Sequence, residues 1–340
     1  MPSATAMASL APGFGPRFML FVDTEEEFDW GAPFDRDARA VTHMRGLAEG
    51  QARWAAAGVR PVYVIDHPMA DSPAAAAMLG QWAADGACDI GAHLHPWVNP
   101  PFVEAVNLGN SYAGNLPREL ERAKLHALVE RIERGTGVRP IAYRAGRYGA
   151  GPHTAELLSE LDFRLDTSVR SRFDYRGQLG PDFFSMPLTP WWTGPRGEIL
   201  ELPLSTAFTG ALRGLGAPLH RLAEGLANAG GVLMGAMSRL NLMSRVPLTP
   251  EGVTSGEAVA AIDALLADGV PVLSFSFHSP TLEPGHTPYV RDAADLAAFH
   301  RWWDVVFDHL ARRGVAPCGL AELLDAVIPR QDAARACHAA

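Results

Sequence analysis

Short apolar runs alternate with longer amphipathic stretches along most of the chain. Residues 17–22, 62–65, 88–92, 140–143, 163–165 and 270–277 are apolar runs, several of them β-branched, of a length suited to buried strands. Between them lie helical stretches at 37–57, closed by Gly58, and from Ser72-Pro73 to about Asp85. Further helices are expected at 116–134, with Leu120, Leu125, Leu128 and Ile132 as the apolar positions, and at 154–161. Thr254-Ser-Gly-Glu257 has the spacing of a capping box and opens a helix running to Ala267. A long helix at 293–313 and a short one at 320–327 complete the series.

Three stretches break the alternation. Residues 96–115 form a loop rich in proline and asparagine, long enough to suggest function. Residues 183–204 read as hairpins around Gly194 and Gly197. Residues 215–243 read as helical and glycine-interrupted, the centre of an insertion over about 205–250 able to act as a lid. Strands alternating with helices imply parallel βα units, and so an α/β barrel over 17–328. A flexible N-terminus (1–16) and a frayed tail (329–340) flank it.

In such barrels, chemistry collects at the C-terminal ends of the strands. The residues following the apolar runs are Asp23, Asp66-His67, His93, Arg144, Asp166 and His278. Ordinary strand ends at a surface favour Lys, Ser and Asn; these ends carry Asp, His and Arg.

Composition narrows the classes. The net charge is −9 and basic residues do not cluster, which argues against nucleic acid as a partner. Cys88, Cys318 and Cys337 are widely spaced and odd in number, giving neither a disulfide framework nor a thiolate zinc site. Cys88 suits a small core position. No stretch reaches the roughly 20 apolar residues needed to span a bilayer. The N-terminus lacks a secretory pattern, so the expectation is cytoplasmic. The sequence does not speak to oligomeric state.

Two residue pairs carry candidate metal chemistry. His93 and His95 are two apart, and on extended chain such positions share a face. Two imidazoles on one face suit Zn²⁺ or a similar divalent ion. Asp23-Thr-Glu25-Glu26-Glu27 crowds carboxylates that repel unless solvated or bound to a cation. By the same period, Asp23 and Glu25 point together. Either would complete an acid–His–His set with an open coordination position.

The ordered series Val22-Asp23-Thr24-Glu25, Asp89-Ile-Gly-Ala-His93-Leu-His95, Tyr143-Arg144-Ala-Gly-Arg-Tyr148, Leu165-Asp166-Thr-Ser168 and Ser274-Phe-Ser-Phe-His278-Ser-Pro resembles the five motifs of the NodB-homology polysaccharide deacetylases, the carbohydrate esterase family 4 type. His93-Leu-His95-Pro-Trp97 looks most like the WalW-like branch, and the resemblance spans about residues 17–325. It implies a distorted (β/α) barrel of seven or eight strands. It also implies removal of acetyl groups from N-acetylated sugars, with one acidic and two histidine metal ligands, an aspartate base and a C-terminal histidine acid. Two departures stand out. Thr24 follows Asp23 where the family has adjacent aspartates, moving the ligand role to Glu25 or Glu26. The histidines are two apart rather than four, which leaves His95 a less firm ligand than His93.

On this reading Asp23 is the base, kept ionised by Arg144, which Asp166 orients. His278 is the acid, since imidazole titrates near neutrality. Trp97 walls the acetyl methyl group, Trp191 and Trp192 stack on a sugar face, and Tyr148 and Asp66 line the pocket. His67, His286 and His300 have structural or surface roles. A non-sugar amide substrate, or a non-catalytic sugar-binding role, is the alternative.

Overall fold

The computed structural model describes residues 6–224 and 228–328. Residues 1–5, the tail expected to fray after 328, and Cys337 lie outside the described residues. The strands are β1 (Ala6–Met7), β2 (Arg17–Thr24), β3 (Val62–Ile65), β4 (Asp89–Leu94), β5 (Ala142–Ala145), β6 (Leu165–Asp166), β7 (Trp191–Thr193), β8 (Ile199–Glu201), β9 (Thr206–Thr209), β10 (Ser244–Pro247), β11 (Val272–His278) and β12 (Ala316–Pro317). The helices are α1 (Met44–Ala56), α2 (His67–Asp71), α3 (Pro73–Ala84), α4 (Arg118–Thr136), α5 (Thr154–Glu160), α6 (Gly216–Glu224), α7 (Asn228–Arg239), α8 (Ser255–Ala267), α9 (Ala293–Arg312) and α10 (Leu320–Ala326).

The strands β8-β6-β5-β4-β3-β2-β11 run parallel in that order, so the expected barrel of βα units is present. It is distorted where β8 and β11 should meet. No ladder joins them; Ser205 bridges instead, donating from its N to Ser274 O (3.3 Å) and accepting from Ser274 N at its Oγ (2.9 Å). The hairpin expected around Gly194 and Gly197 is β7–β8, and β8 doubles as a barrel strand.

Alternation along the strands sorts side chains into two cores. Phe18, Leu20 and Val22 of β2, with Leu273, Phe275 and Phe277 of β11, face outward onto the helices. Met19 and Phe21, with Val62, Val64, Ala142, Leu165 and Val272, fill the barrel interior, plugged at one end by Leu320, Leu323 and Leu324 of α10. The inward rows therefore continue past the apolar layer to Asp23, His93, Arg144 and His278 at the other end.

Three local expectations shift. The helix expected from residue 37 begins at Met44, because the backbone N–H groups of Thr42 and His43 donate to the Glu27 carboxylate and hold that segment open. The described part of the N-terminal segment is tied down: β1 pairs with β7, and Leu10 bridges Val327. The insertion is a β9–β10 ribbon whose connection carries α6 and α7. Among the residues of α6 and α7 whose side chains are described, none lines the cavity where the candidate catalytic groups meet.

Candidate active site

A cavity of about 360 Å³ opens at the C-terminal ends of the strands, lined by Asp23, Glu25, His93, His95, Glu251 and His278 among others. The register explains the gathering: His93 lies beside Arg144 across β4–β5, and Asp23 beside His278 across β2–β11.

Glu25, His93 and His95 form a compact, buried set. Glu25 Oε2 lies 3.4 Å from Nε2 of each histidine. His93 Nδ1 is 3.0 Å from Arg144 O. A carbonyl oxygen only accepts, so Nδ1 carries the proton and Nε2 keeps its lone pair toward Glu25. His95 Nδ1 is held by Glu26 Oε2 at 2.9 Å, and Glu26 Oε1 accepts from Trp97 Nε1 at 2.9 Å. Burial first, and the neighbouring imidazole next, push His93 down to about 3; burial pushes His95 down to about 4. Both rings are therefore neutral near pH 7, the form that binds metals.

Whether these residues fit a metal can be tested on Glu25. Its Oε1 is buried and makes no hydrogen bond. Burial and then the neighbouring carboxylates of Glu26, Asp23 and Asp66 push its pKa well above the ordinary range. An orphaned carboxylate oxygen beside two neutral imidazoles is the donor set a divalent cation satisfies. Glu26, Asp66 and His95 form a second compact set. There the carboxylates are already engaged: Asp66 Oδ2 accepts from Glu26 N and Asp66 Oδ1 from Met69 N, both at 2.8 Å. Neither Glu26 nor Asp66 lines the cavity, so that set backs His95 rather than opening to a substrate.

Two proton-transfer groups face this cluster. Asp23 is buried and receives Arg144 Nη1 on Oδ1 at 2.5 Å. Burial alone would raise its carboxyl, but Arg144, then His93 and His278, hold it below its ordinary value. Its other oxygen, Oδ2, lies 3.9 Å from His278 Nε2, beyond hydrogen-bond reach. His278 Nδ1 contacts Glu251 Oε2 at 2.7 Å, and His278 N donates to Glu251 Oε1 at 3.0 Å. Burial alone would lower His278; Glu251, then Asp23, raise it above its ordinary value.

Several expected residues sit elsewhere. Asp166 does not orient Arg144, whose other partners are Thr167 O and Thr167 Oγ1, each at 3.3 Å. Leu165 takes the inward position on β6, which turns Asp166 to the opposite face beside Glu201. Trp191 lines a separate pocket on that face with Asp166 and Glu201, and Trp192 packs against the interior core, so neither lines the main cavity. Asp66 caps α2 instead of lining the cavity. Trp97 and Tyr148 do line it, and Trp97 also stacks on His95 with ring centroids 4.3 Å apart.

Other participants escaped the sequence reading. Glu251 sits in a Pro-Glu-Gly loop with no periodic signal. Ser279 Oγ accepts from Glu25 N at 3.3 Å and is held by His43 Nε2 at 2.8 Å, whose Nδ1 meets Glu27 Oε1 at 2.8 Å. That chain fixes the Glu25 backbone through residues far apart in sequence.

No family model and no curated protein matches the chain. Solved structures do. A putative polysaccharide deacetylase from Mycobacterium smegmatis is similar over 94% of this chain and 98% of its own, at 16% identity and a TM-score of 0.48. A 4-alpha-glucanotransferase from Thermococcus litoralis matches 93% of this chain and 41% of its own, at 12% identity and a TM-score of 0.51. A GH57 branching enzyme from Thermococcus kodakaraensis matches 91% of this chain and 71% of its own, at 13% identity and a TM-score of 0.50. The last two establish a shared barrel fold.

Proposed function

We propose that this chain is a metal-dependent amide hydrolase of the NodB-homology polysaccharide deacetylase type, removing acetyl groups from an N-acetylated sugar or a small amide. The observation that carries the reading is a buried Glu25–His93–His95 cluster sharing one cavity with a carboxylate held below its ordinary pKa, Asp23, and an imidazole raised above its own, His278. A divalent ion held by Glu25, His93 and His95, with Zn²⁺ the best match to the donors, would polarise the acetamide carbonyl and ease ionisation of a water.

The chain's own groups divide the proton work. Asp23 takes the proton of the attacking water on Oδ2, because Arg144 occupies Oδ1. His278 gives the proton on Nε2 to the departing nitrogen, because Glu251 holds Nδ1. An amine leaves poorly unless protonated, so the acid is as necessary as the base. The roughly 360 Å³ cavity is at the low end of the range of about 300–1,000 Å³ for ligand pockets, which favours a small substrate or a single sugar unit over a long chain segment.

Acetate release from N-acetylated sugars and small amides, measured with Zn²⁺ supplied, tests the reading. Release should fall by about 10²–10⁴-fold in Asp23→Asn and in His278→Ala. No release from any substrate by metal-loaded protein would favour a binding role.

A further inference from the structure

The same cavity has a cationic wall that the proposed hydrolysis does not use. Arg147 and Arg170 both line it. Arg147 lies in the turn after β5, where Arg147 and Tyr148 have φ of 54° and 59°. Left-handed backbone is uncommon for residues with side chains and gathers at functional sites. Arg147 lies over the Tyr112 ring at 4.1 Å and donates to Ser111 Oγ and Gln178 Oε1. Arg170 lies over the Phe173 ring at 4.0 Å and donates to the Tyr175 hydroxyl at 3.2 Å. Its Nε is buried and unpartnered.

Every one of these contacts is to a neutral group. Among the described residues, neither guanidinium pairs with a carboxylate. The acids of the cavity face elsewhere: Asp23 pairs with Arg144, Glu251 holds His278, and Glu25 turns toward the two imidazoles of the proposed metal cluster. Two like charges partly withdrawn from water, with no counter-charge, are an unfinished arrangement. A guanidinium fork is the side chain best shaped to grip a carboxylate or phosphate.

We propose that the substrate carries an anionic group, a carboxylate or a phosphate, which Arg147 and Arg170 hold while its amide lies at the Glu25–His93–His95 cluster. The proposal rests on the hydrolase reading for the position of the amide. The two arginines are specificity residues and take no part in proton transfer.

Titration calorimetry on the full-length protein with N-acetylglucosamine, its 6-phosphate and N-acetylmuramic acid tests it. At least one anionic compound should bind about tenfold or more tightly than the neutral sugar, and added salt should shrink that preference. Which anionic compound prefers the site distinguishes phosphate from carboxylate. Arg170→Gln should bring the preferred anion to the affinity of the neutral sugar. Arg170→Lys, keeping the charge, should retain part of the preference and show that the fold survives. Equal affinity for all three compounds, or an equal loss for all three in Arg170→Gln, overturns the proposal. Acetate release reads the hydrolase separately: a charge preference without release sinks the hydrolase and leaves this inference standing.

Discussion

A carboxyl group as deeply buried as Asp23 would ordinarily be driven toward its neutral form, and a base that is already protonated cannot act. Arg144 reverses that by direct pairing, while Glu251 does the opposite service for His278. The two pKa values are thus moved in opposite directions, as opposed base and acid roles require. Their signs give a pH prediction. His278 works protonated, so its raised pKa carries activity above the ordinary imidazole value near 6.5. Glu251→Gln removes that support, and the basic limb of the kcat profile should move to lower pH. An unmoved limb would take His278 out of the acid role. Asp23, His93 and His278 were legible because polar residues end apolar runs. Asp166 was misread because a strand end says nothing about which face it presents. Counting by twos from the interior Leu165 puts Asp166 outside, whereas counting from Phe21 puts Asp23 inside.

At the scale of elements, the site depends on how closely the strand ends and their loops pack. A Cβ on Gly146 would lie 2.4 Å from His95 Cδ2 and 2.6 Å from Leu94 O, so only glycine fits beside that ring. Gly146→Ala should push His95 off its position and weaken metal binding by about 10–100-fold, read by competition with a chelator. The loop that follows is held by buried Lys124 of α4, which donates to the carbonyls of Pro96 (2.9 Å), Asn99 (2.6 Å) and Pro101 (2.8 Å) and pairs with Glu104 at 3.0 Å. Lys124→Met strands those acceptors and should cost about 3–5 kcal/mol in urea unfolding; a cost below about 1 kcal/mol would mean the loop holds itself. The sequence showed that this loop was long but not that a helix residue some 25 positions on pins it. Apolar periodicity marks cores, and Lys124 is a charge in one.

For the molecule as a whole, the order of βα units was readable from the alternation of runs, and so was the end of the barrel where chemistry gathers. The open seam between β8 and β11 was not, since Ser205 and Ser274 close it with side-chain and loop hydrogen bonds that leave no apolar pattern. On the outer face, burial pushes Asp166 up to about 6, and burial with Asp166 beside it pushes Glu201 well above its ordinary value. The native state therefore holds protons that the unfolded chain releases from about pH 4 upward. Stability from this pair is greatest below that pH and is lost as pH rises past the ordinary carboxylate range toward the raised folded values. Glu201→Gln should flatten that loss between pH 4.5 and 7 in urea titrations; an unchanged slope would contradict it. All the chemistry proposed for the cavity depends on Glu25, His93 and His95 together holding a catalytic ion. Elemental analysis of metal-loaded, desalted protein tests it most directly. One divalent ion per chain is expected in the native protein, and none in a folded His93→Ala variant that has also lost acetate release. A full complement of metal retained by His93→Ala would contradict it.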